Sequence, residues 1–124
     1  MTTSMREMAE GLAAAWSCGD VEGIASFFTE DGVFEDVCNR ESHAGHEALK
    51  ALAREVFAAI PDMKLTITSY LCEGDRMAVE WVQTGTRAGK RFSLPGVSIA
   101  IVREGKFSRE AMYCHWDGVT WLDA

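Results

Sequence analysis

Three polar side chains near the end of the chain have the types and the spacing of an acid/base site. Tyr113, His115 and Asp117 alternate along the segment 106–117, whose pattern predicts a β-strand. Residues two apart on a regular strand point to the same side, so these three would share one face. A histidine beside a carboxylate titrates near neutral pH, which suits proton transfer. The alternative is that a core hydrogen bond satisfies His115 and that Asp117 only ends the strand.

A second acidic candidate is Asp36, which follows Glu35 at the end of a predicted short strand, 32–37. A carboxylate at the rim of an apolar pocket is partly desolvated, which raises its pKa and allows it to exchange protons. The alternative is an acid that stays hydrated at the end of the strand. Asp36 and His115 are therefore the two groups that we expect to transfer protons.

The remaining histidines and the four cysteines form no metal or redox motif. His43 is expected in a loop that crosses the pocket mouth, where a ligand contact competes with a purely structural role. His46 is expected to be exposed in the first turn of a helix. The sequence has no H-x-x-x-H, C-x-x-C, G-x-S-x-G or Gly-rich phosphate motif. We therefore predict no metal and no cofactor.

The composition is typical of one soluble domain. The 124 residues are 48% hydrophobic and 25% charged, as in ordinary globular proteins. A formal net charge of −7 and scattered basic residues argue against nucleic-acid binding. No apolar run approaches the roughly 18 residues of a membrane span, and the N-terminus lacks the pattern of a secretory signal. These features predict a single cytoplasmic domain, 1–124, without a nucleic-acid or membrane partner.

In the first half of the chain, apolar residues recur every three or four positions, which predicts three helices. A capping box of Ser4 and Glu7 begins the first helix, and Asp20 caps a short second one. The third helix begins near Gly45-His46 and ends before Pro61, because the residue ahead of a proline avoids helical dihedrals. These are the elements that would cover a sheet.

The second half has the pattern of strands joined by tight turns. The predicted strands are 64–72, 76–87, 91–103 and 106–117. Helices followed by strands predict an α+β fold, with about three helices packed on a curved antiparallel sheet and a pocket between the two layers. Pro95-Gly96, inside the third of these strands, predicts a bulge or bend that would curl the sheet.

Both faces of the predicted sheet carry apolar side chains. Met77, Val79 and Trp81 point to one side of their strand, while Ala78 and Val82 point to the other. Three helices cannot cover both faces of one sheet. We therefore expect the second face to meet another copy of the chain, forming a homodimer.

Several segments resemble nuclear transport factor 2-like proteins. They are AWSCGD at 15–20, FFTEDGVFED at 27–36, HAGHEAL at 43–49, LPGVSI at 94–99 and the stretch 105–117. The likeness covers nearly the whole chain and is closest to the SnoaL-like polyketide cyclase and ketosteroid isomerase branch. It implies a cone-shaped α+β barrel, cystatin-like and usually dimeric, with a deep apolar pocket. This fold hosts enzymes and non-enzymes, so the resemblance leaves the reaction open.

The resemblance also implies roles for single residues. Asp36 matches the general base of ketosteroid isomerases. His115, or Asp117 if a two-residue bulge is allowed, matches the acid/base aspartate of SnoaL-like cyclases. Leu12 and Ser98 stand where isomerases have the tyrosine and the protonated acid that bind the oxyanion. An epoxide hydrolase of this fold would need an Asp-Arg-Asp set, and no arginine occupies the matching strand position.

We therefore predict a cofactor-independent acid/base enzyme, such as an isomerase, cyclase or dehydratase/hydratase, for a small apolar carbonyl or polycyclic compound. Asp36, His115 and Asp117 are the predicted catalytic groups. The predicted pocket residues are Trp16, Phe34, His43, Phe57, Trp81, Ser98 and Tyr113. The alternative is a non-catalytic domain of the same fold that binds a small molecule or dimerises.

Overall fold

The structure, a computed structural model, describes residues 4–123. The helices are α1 Met5–Cys18, α2 Val21–Ser26 and α3 His46–Ala59. The strands are β1 Phe28–Asp36, β2 Glu41–Ala44, β3 Lys64–Glu73, β4 Arg76–Arg87, β5 Lys90–Arg103, β6 Lys106–Tyr113 and β7 Thr120–Trp121. A short 3-10 helix, Trp116–Gly118, separates the last two strands. No helix in the described part of the chain has the length and apolar character that crossing a bilayer needs.

The helix starts lie where the capping residues predict them. Ser4 Oγ accepts a hydrogen bond from the Glu7 backbone N–H at 3.1 Å, and Asp20 Oδ1 accepts one from the Gly23 N–H at 2.9 Å. Each side chain satisfies a backbone donor that has no partner within the first turn of a helix. Gly19 ends α1 in the left-handed region, at φ 73°, which glycine adopts without steric cost.

The three helices pack on one face of a mixed, open sheet. Its strand order is β2-β1-β6-β5-β4-β3, and β7 pairs with β5. The β1–β6 pair is parallel and the other pairs are antiparallel. The predicted α+β fold class is confirmed. The sheet does not close on itself, because β2 and β3 remain at its two edges.

The register shifts in the sheet do not lie at Pro95. Pro95 pairs with Val82 in an uninterrupted β4–β5 ladder. The shifts lie between Ile67 and Ser69 in β3, between Ile101 and Val102 opposite β6, and within β1. The bulge expected at Pro95-Gly96 is therefore absent from the described ladder. The β5–β6 pairing begins only at Val97. Because Pro95 lies outside this pairing, its missing N–H does not deprive any β6 carbonyl group of a hydrogen bond.

The prediction that the last strand continues to residue 117 is wrong. The β6 strand ends at Tyr113, where its pairing stops on both sides: β1 ends at Asp36, and β5 pairs with β6 only from Val97 onward, since Pro95 has no N–H to donate. The chain then turns so that Trp116 packs on Phe92, with ring centroids 5.0 Å apart. Tyr113, His115 and Asp117 therefore do not share a strand face.

The inner face of the sheet carries the core, as the alternation predicts. Met77, Val79 and Trp81 are buried beneath the helices, and Phe92 is completely buried on the next strand. The opposite face has partly buried apolar side chains, such as Val82 and Ile99, that no helix covers. The space between helices and sheet is where a ligand site can form.

Candidate active site

A cavity of about 170 Å³ lies between the helices and the inner face of the sheet. Its walls come from α1, α3 and β1, from β3 to β6 and from the segment before β3, and most of the lining side chains are apolar. Four of the predicted pocket residues line it: Trp16, Phe34, Trp81 and Ser98. A lining of this kind, with a few polar groups, is typical of small-molecule sites.

Asp36 lies at the end of β1 and also lines this cavity. Its Oδ2 accepts a hydrogen bond from Asn39 Nδ2 at 2.9 Å, whereas its Oδ1 is buried and has no hydrogen-bond partner among the described residues. The side chain is half-buried. One carboxylate oxygen is therefore held in place by a hydrogen bond, while the other has none among the described residues.

A second carboxyl group in the cavity, Glu110 on β6, was missed by the sequence analysis. Its Oε2 accepts a hydrogen bond from Ser98 Oγ at 2.8 Å, and its Oε1 is buried and has no partner in the described chain. Burial raises the pKa of Glu110 from an ordinary 4.5 to about 7, although the hydrogen bond from Ser98 acts in the opposite direction. Near neutral pH this carboxyl group exists both with and without its proton.

Ser98 connects Glu110 to a buried aromatic ring. Trp81 Nε1 donates a hydrogen bond to Ser98 Oγ at 3.0 Å, so the serine hydroxyl is left to donate to Glu110. This chain of donors fixes Oε2 of Glu110 against the wall of the cavity. The carboxyl group beside Ser98 thus comes from the neighbouring strand β6.

The structure places His115 and Asp117 outside the cavity lining. Asp117 N donates to His115 Nδ1 at 3.1 Å, but their side chains are 49% and 94% exposed. Tyr113 is 43% exposed and does not line the cavity either. The physical reason is the end of β6 at Tyr113, after which the following residues leave the sheet. His115 and Asp36 therefore do not lie in the same cavity, contrary to the prediction.

Two further predicted pocket residues, Phe57 and His43, lie next to side chains that line the cavity. Phe57 packs against Trp16, with ring centroids 5.6 Å apart, and His43 lies 6.3 Å from the ring of Phe34. The buried Nε2 of His43 lies 3.5 Å from Glu41 Oε2, without hydrogen-bond geometry. Neither Phe57 nor His43 lines the cavity. His43 belongs to β2, a strand that the sequence analysis had treated as a loop.

Other titratable groups lie beside the cavity without entering it. Burial first, and then the negative charge of Asp36, raises the pKa of the Cys114 thiol to about 11, so that it stays neutral. Arg109 donates to both carboxylate oxygens of Glu35, at 2.9 and 3.2 Å, on the opposite face of the sheet. Within the described residues, no group of three or more potential ligands is arranged to hold a metal ion.

Strand alternation alone assigns Glu110 to the wrong face. Counting by twos from the buried Phe107 puts Arg109 inside and Glu110 outside. The register shift leaves Ser108 without a partner on β5, so the alternation reverses between Phe107 and Arg109. A single extra residue in one strand has this effect. A bulge after Phe107 is the signal that would have identified Glu110.

Most of the chain matches a known protein family. Residues 9–110 match the family model described as a SnoaL-like domain. The chain belongs to the SnoaL-like family. The matched residues include Asp36 and end at Glu110. A comparison with curated proteins gives no match.

Solved structures share the fold of this SnoaL-like domain. A hypothetical protein from Catenulispora acidiphila with a ketosteroid isomerase-like fold, in complex with trimethylamine, is 22% identical, with a TM-score of 0.86 over 93% of this chain and 90% of that one. TerC, co-crystallised with polyporic acid, is 22% identical, with a TM-score of 0.80 over 89% and 90%. SalBIII, an epoxide hydrolase/cyclase-like enzyme in pyran ring formation of salinomycin, is 18% identical, with a TM-score of 0.84 over 94% of both chains. At these identities the likeness shows the fold alone.

Proposed function

We propose that this SnoaL-like domain is a cofactor-independent acid/base enzyme for a small, largely apolar carbonyl compound. The single observation that carries the proposal is a pair of carboxyl groups in one apolar cavity, each with a buried oxygen that has no hydrogen-bond partner among residues 4–123. Groups of this kind are expected where protons are transferred to and from a ligand. The enzymes among the proteins of similar structure support a catalytic role for the fold.

Asp36 is the proposed general base. Its hydrogen bond with Asn39 orients the carboxylate, and the free Oδ1 is available to take a proton from a carbon next to the substrate carbonyl. When that proton leaves, the electron pair of the C–H bond forms a C=C bond and the carbonyl oxygen gains negative charge. Returning the proton to another carbon of the conjugated system completes an isomerisation.

Glu110 is the proposed acid. In its protonated form, the Oε1 side of this carboxyl can donate a hydrogen bond to the carbonyl oxygen as charge develops there. Ser98 already donates to Oε2, so a proton on this carboxyl group is directed to Oε1. The two carboxyl groups thus have different roles, because one is hydrogen-bonded at the end of a strand and the other is buried.

The cavity limits the substrate to a compact molecule. Its volume of about 170 Å³ is close to that of an engineered cavity of about 150 Å³ that holds benzene in another protein. Trp16, Phe34 and Trp81 offer aromatic surface to a ring. TerC, a protein of similar structure that was co-crystallised with polyporic acid, supports an organic small molecule as the kind of ligand that this fold accommodates.

Epoxide hydrolysis has less support than carbonyl chemistry. Arg109 forms an ion pair with Glu35, and no arginine among the described residues lines the cavity. His115 and Asp117 are left out of the proposed mechanism because both are exposed. Asp36 and Glu110 are therefore the two groups to test.

The test uses proton exchange, because it needs no knowledge of the natural substrate. Small cyclic ketones, such as cyclohexanone and 1-indanone, are incubated with the protein in D2O, and deuterium uptake next to the carbonyl is followed by NMR. The wild-type protein should accelerate uptake, and Asp36→Asn should reduce the acceleration by roughly 100-fold or more. The acceleration should also fall as pH rises through about 7, since Glu110 then loses its proton.

A matched control is His115→Ala, which removes an exposed imidazole outside the cavity. It should leave the exchange rate unchanged, whereas Glu110→Gln should lower the rate and remove the dependence on pH near 7. If Asp36→Asn and Glu110→Gln both exchange as fast as the wild type, the acid/base function is refuted.

A further inference from the structure

The charge of the cavity has a consequence for what can bind in it. Two of its lining residues, Asp36 and Glu110, carry carboxyl groups, and among the described residues no Lys, Arg or His side chain lines it. The other polar lining groups, including Gln83 and Ser98, are uncharged. A cavity with ionised acids and no basic group repels anions and lacks a counter-charge of its own.

The free oxygens of the two acids are unusual for a protein interior. Oδ1 of Asp36 and Oε1 of Glu110 are both buried and have no hydrogen-bond partner in the described chain. Buried polar atoms are normally paired, because each unpaired one costs the free energy of its lost hydration. A ligand that donates hydrogen bonds and carries positive charge would satisfy both atoms.

Aromatic rings in the same walls favour the same kind of ligand. Trp16 lies on α1, Phe34 on β1 and Trp81 on β4, and all three line the cavity. Ring faces attract cations, and the attraction is stronger where water is excluded. The apolar remainder of the lining suits a hydrocarbon group attached to the charge.

We propose that the cavity binds small organic ammonium ions, with Asp36 and Glu110 as the counter-charges. The hydrocarbon part lies against the aromatic walls, and the ammonium N–H groups donate to the two free carboxylate oxygens. The proposal concerns equilibrium binding and goes beyond the proposed catalysis. A failure of either one therefore leaves the other standing.

Proton linkage gives this proposal a distinctive signature. A cation binds best when Glu110 is ionised, and burial raises the pKa of that group to about 7. The elements packed around Glu110 contribute Asp36 from β1 and the uncharged Ser98 from β5, while α1 and α3 contribute only apolar lining residues. Glu35 and Arg109 face the other side of the sheet. Affinity for the ammonium ion should therefore rise about tenfold from pH 6 to pH 8.

The experiment compares three probes of similar size and different charge: benzylammonium, benzyl alcohol and benzoate. Binding is measured by isothermal titration calorimetry, with tryptophan fluorescence as a second readout. At pH 8, benzylammonium should bind at least tenfold more tightly than benzyl alcohol, and benzoate should show no measurable binding. Only benzylammonium should gain affinity between pH 6 and pH 8.

Variants identify the group responsible. Glu110→Gln should reduce benzylammonium affinity about tenfold at pH 8 and remove its pH dependence. Glu80→Gln is the matched control, since Glu80 is exposed on the opposite face of β4 and should behave as wild type. Equal affinity for benzylammonium and benzyl alcohol in the wild type, or an unchanged pH dependence in Glu110→Gln, would overturn the proposal.

Discussion

At the residue scale, the most consequential side chain is Glu110. Its carboxyl is desolvated on the inner face of the sheet, and one hydrogen bond from Ser98 compensates for only part of the lost hydration. The residue as a whole is partly accessible and lines the cavity, whereas Oε1 is buried. An ionised carboxylate in this position destabilises the fold, because its charge is poorly solvated. The same group is available to bind a ligand.

The cost of ionising Glu110 predicts how stability depends on pH. Because the folded-state pKa of about 7 exceeds the ordinary 4.5, the folded protein holds the proton more tightly, and stability falls as pH rises between these values. The full difference amounts to about 3 kcal/mol of unfolding free energy. Glu110→Gln should lose this dependence and be more stable than wild type at pH 8, in urea unfolding followed by circular dichroism.

The comparison between pH 4.5 and pH 8 is internal to each protein, so other titrating groups largely cancel between wild type and variant. Glu80→Gln serves again as the control, because that side chain is exposed. A wild type and a Glu110→Gln variant whose free energies of unfolding change in parallel over this range would show that Glu110 keeps an ordinary pKa.

At the element scale, strands β4 and β5 shape the cavity by a close contact. Gly96 pairs with Trp81, and a Cβ atom at Gly96 would overlap three carbons of the Trp81 ring. The missing side chain therefore lets the indole lie flat enough to reach Ser98 with its Nε1. This is where a glycine is needed for close approach rather than for a turn.

Gly96→Ala should therefore disturb the site as well as the fold. We expect a loss of about 1–3 kcal/mol in stability from overpacking, together with weaker binding of benzyl alcohol because Trp81 must move. Thermal unfolding and calorimetry would measure the two effects. Gly118→Ala is the control: its Cβ meets no atom within 4 Å, so it should change neither quantity.

At the scale of the whole molecule, the sheet face away from the helices carries apolar side chains. Val97, Ile99 and Ile101 lie there, only partly buried within the described chain. Such a face is normally covered, and a second copy of the chain would cover it symmetrically. Homodimerisation through this face stays a prediction from the sequence pattern.

Ile99→Glu should separate the dimer into monomers. Light scattering after size exclusion should give about twice the chain mass of 13.7 kDa for the wild type and the single-chain mass for the variant. Ala14→Glu is a matched control, since Ala14 is exposed on helix α1, on the other side of the sheet, and should leave the mass unchanged. A wild type that is monomeric at micromolar concentration would refute the predicted interface.

Local patterns in the sequence were sufficient to predict the helices, the long strands and one of the two cavity acids, Asp36. Periodicity identified the helices and four long strands, capping residues placed the helix starts, and Asp36 stood out as an acid at a strand end. These properties depend on neighbours within a few residues along the chain. The family resemblance added the fold class, which the structure confirms.

Only the tertiary structure decided the other half of the site. The bulge beside Ser108 turned Glu110 inward, and the loss of both strand partners after Tyr113 turned His115 outward. Both outcomes depend on which strands pair and where they stop, and residues distant in sequence determine this. The raised pKa of Glu110 has the same origin, because desolvation is caused by surrounding elements rather than by sequence neighbours.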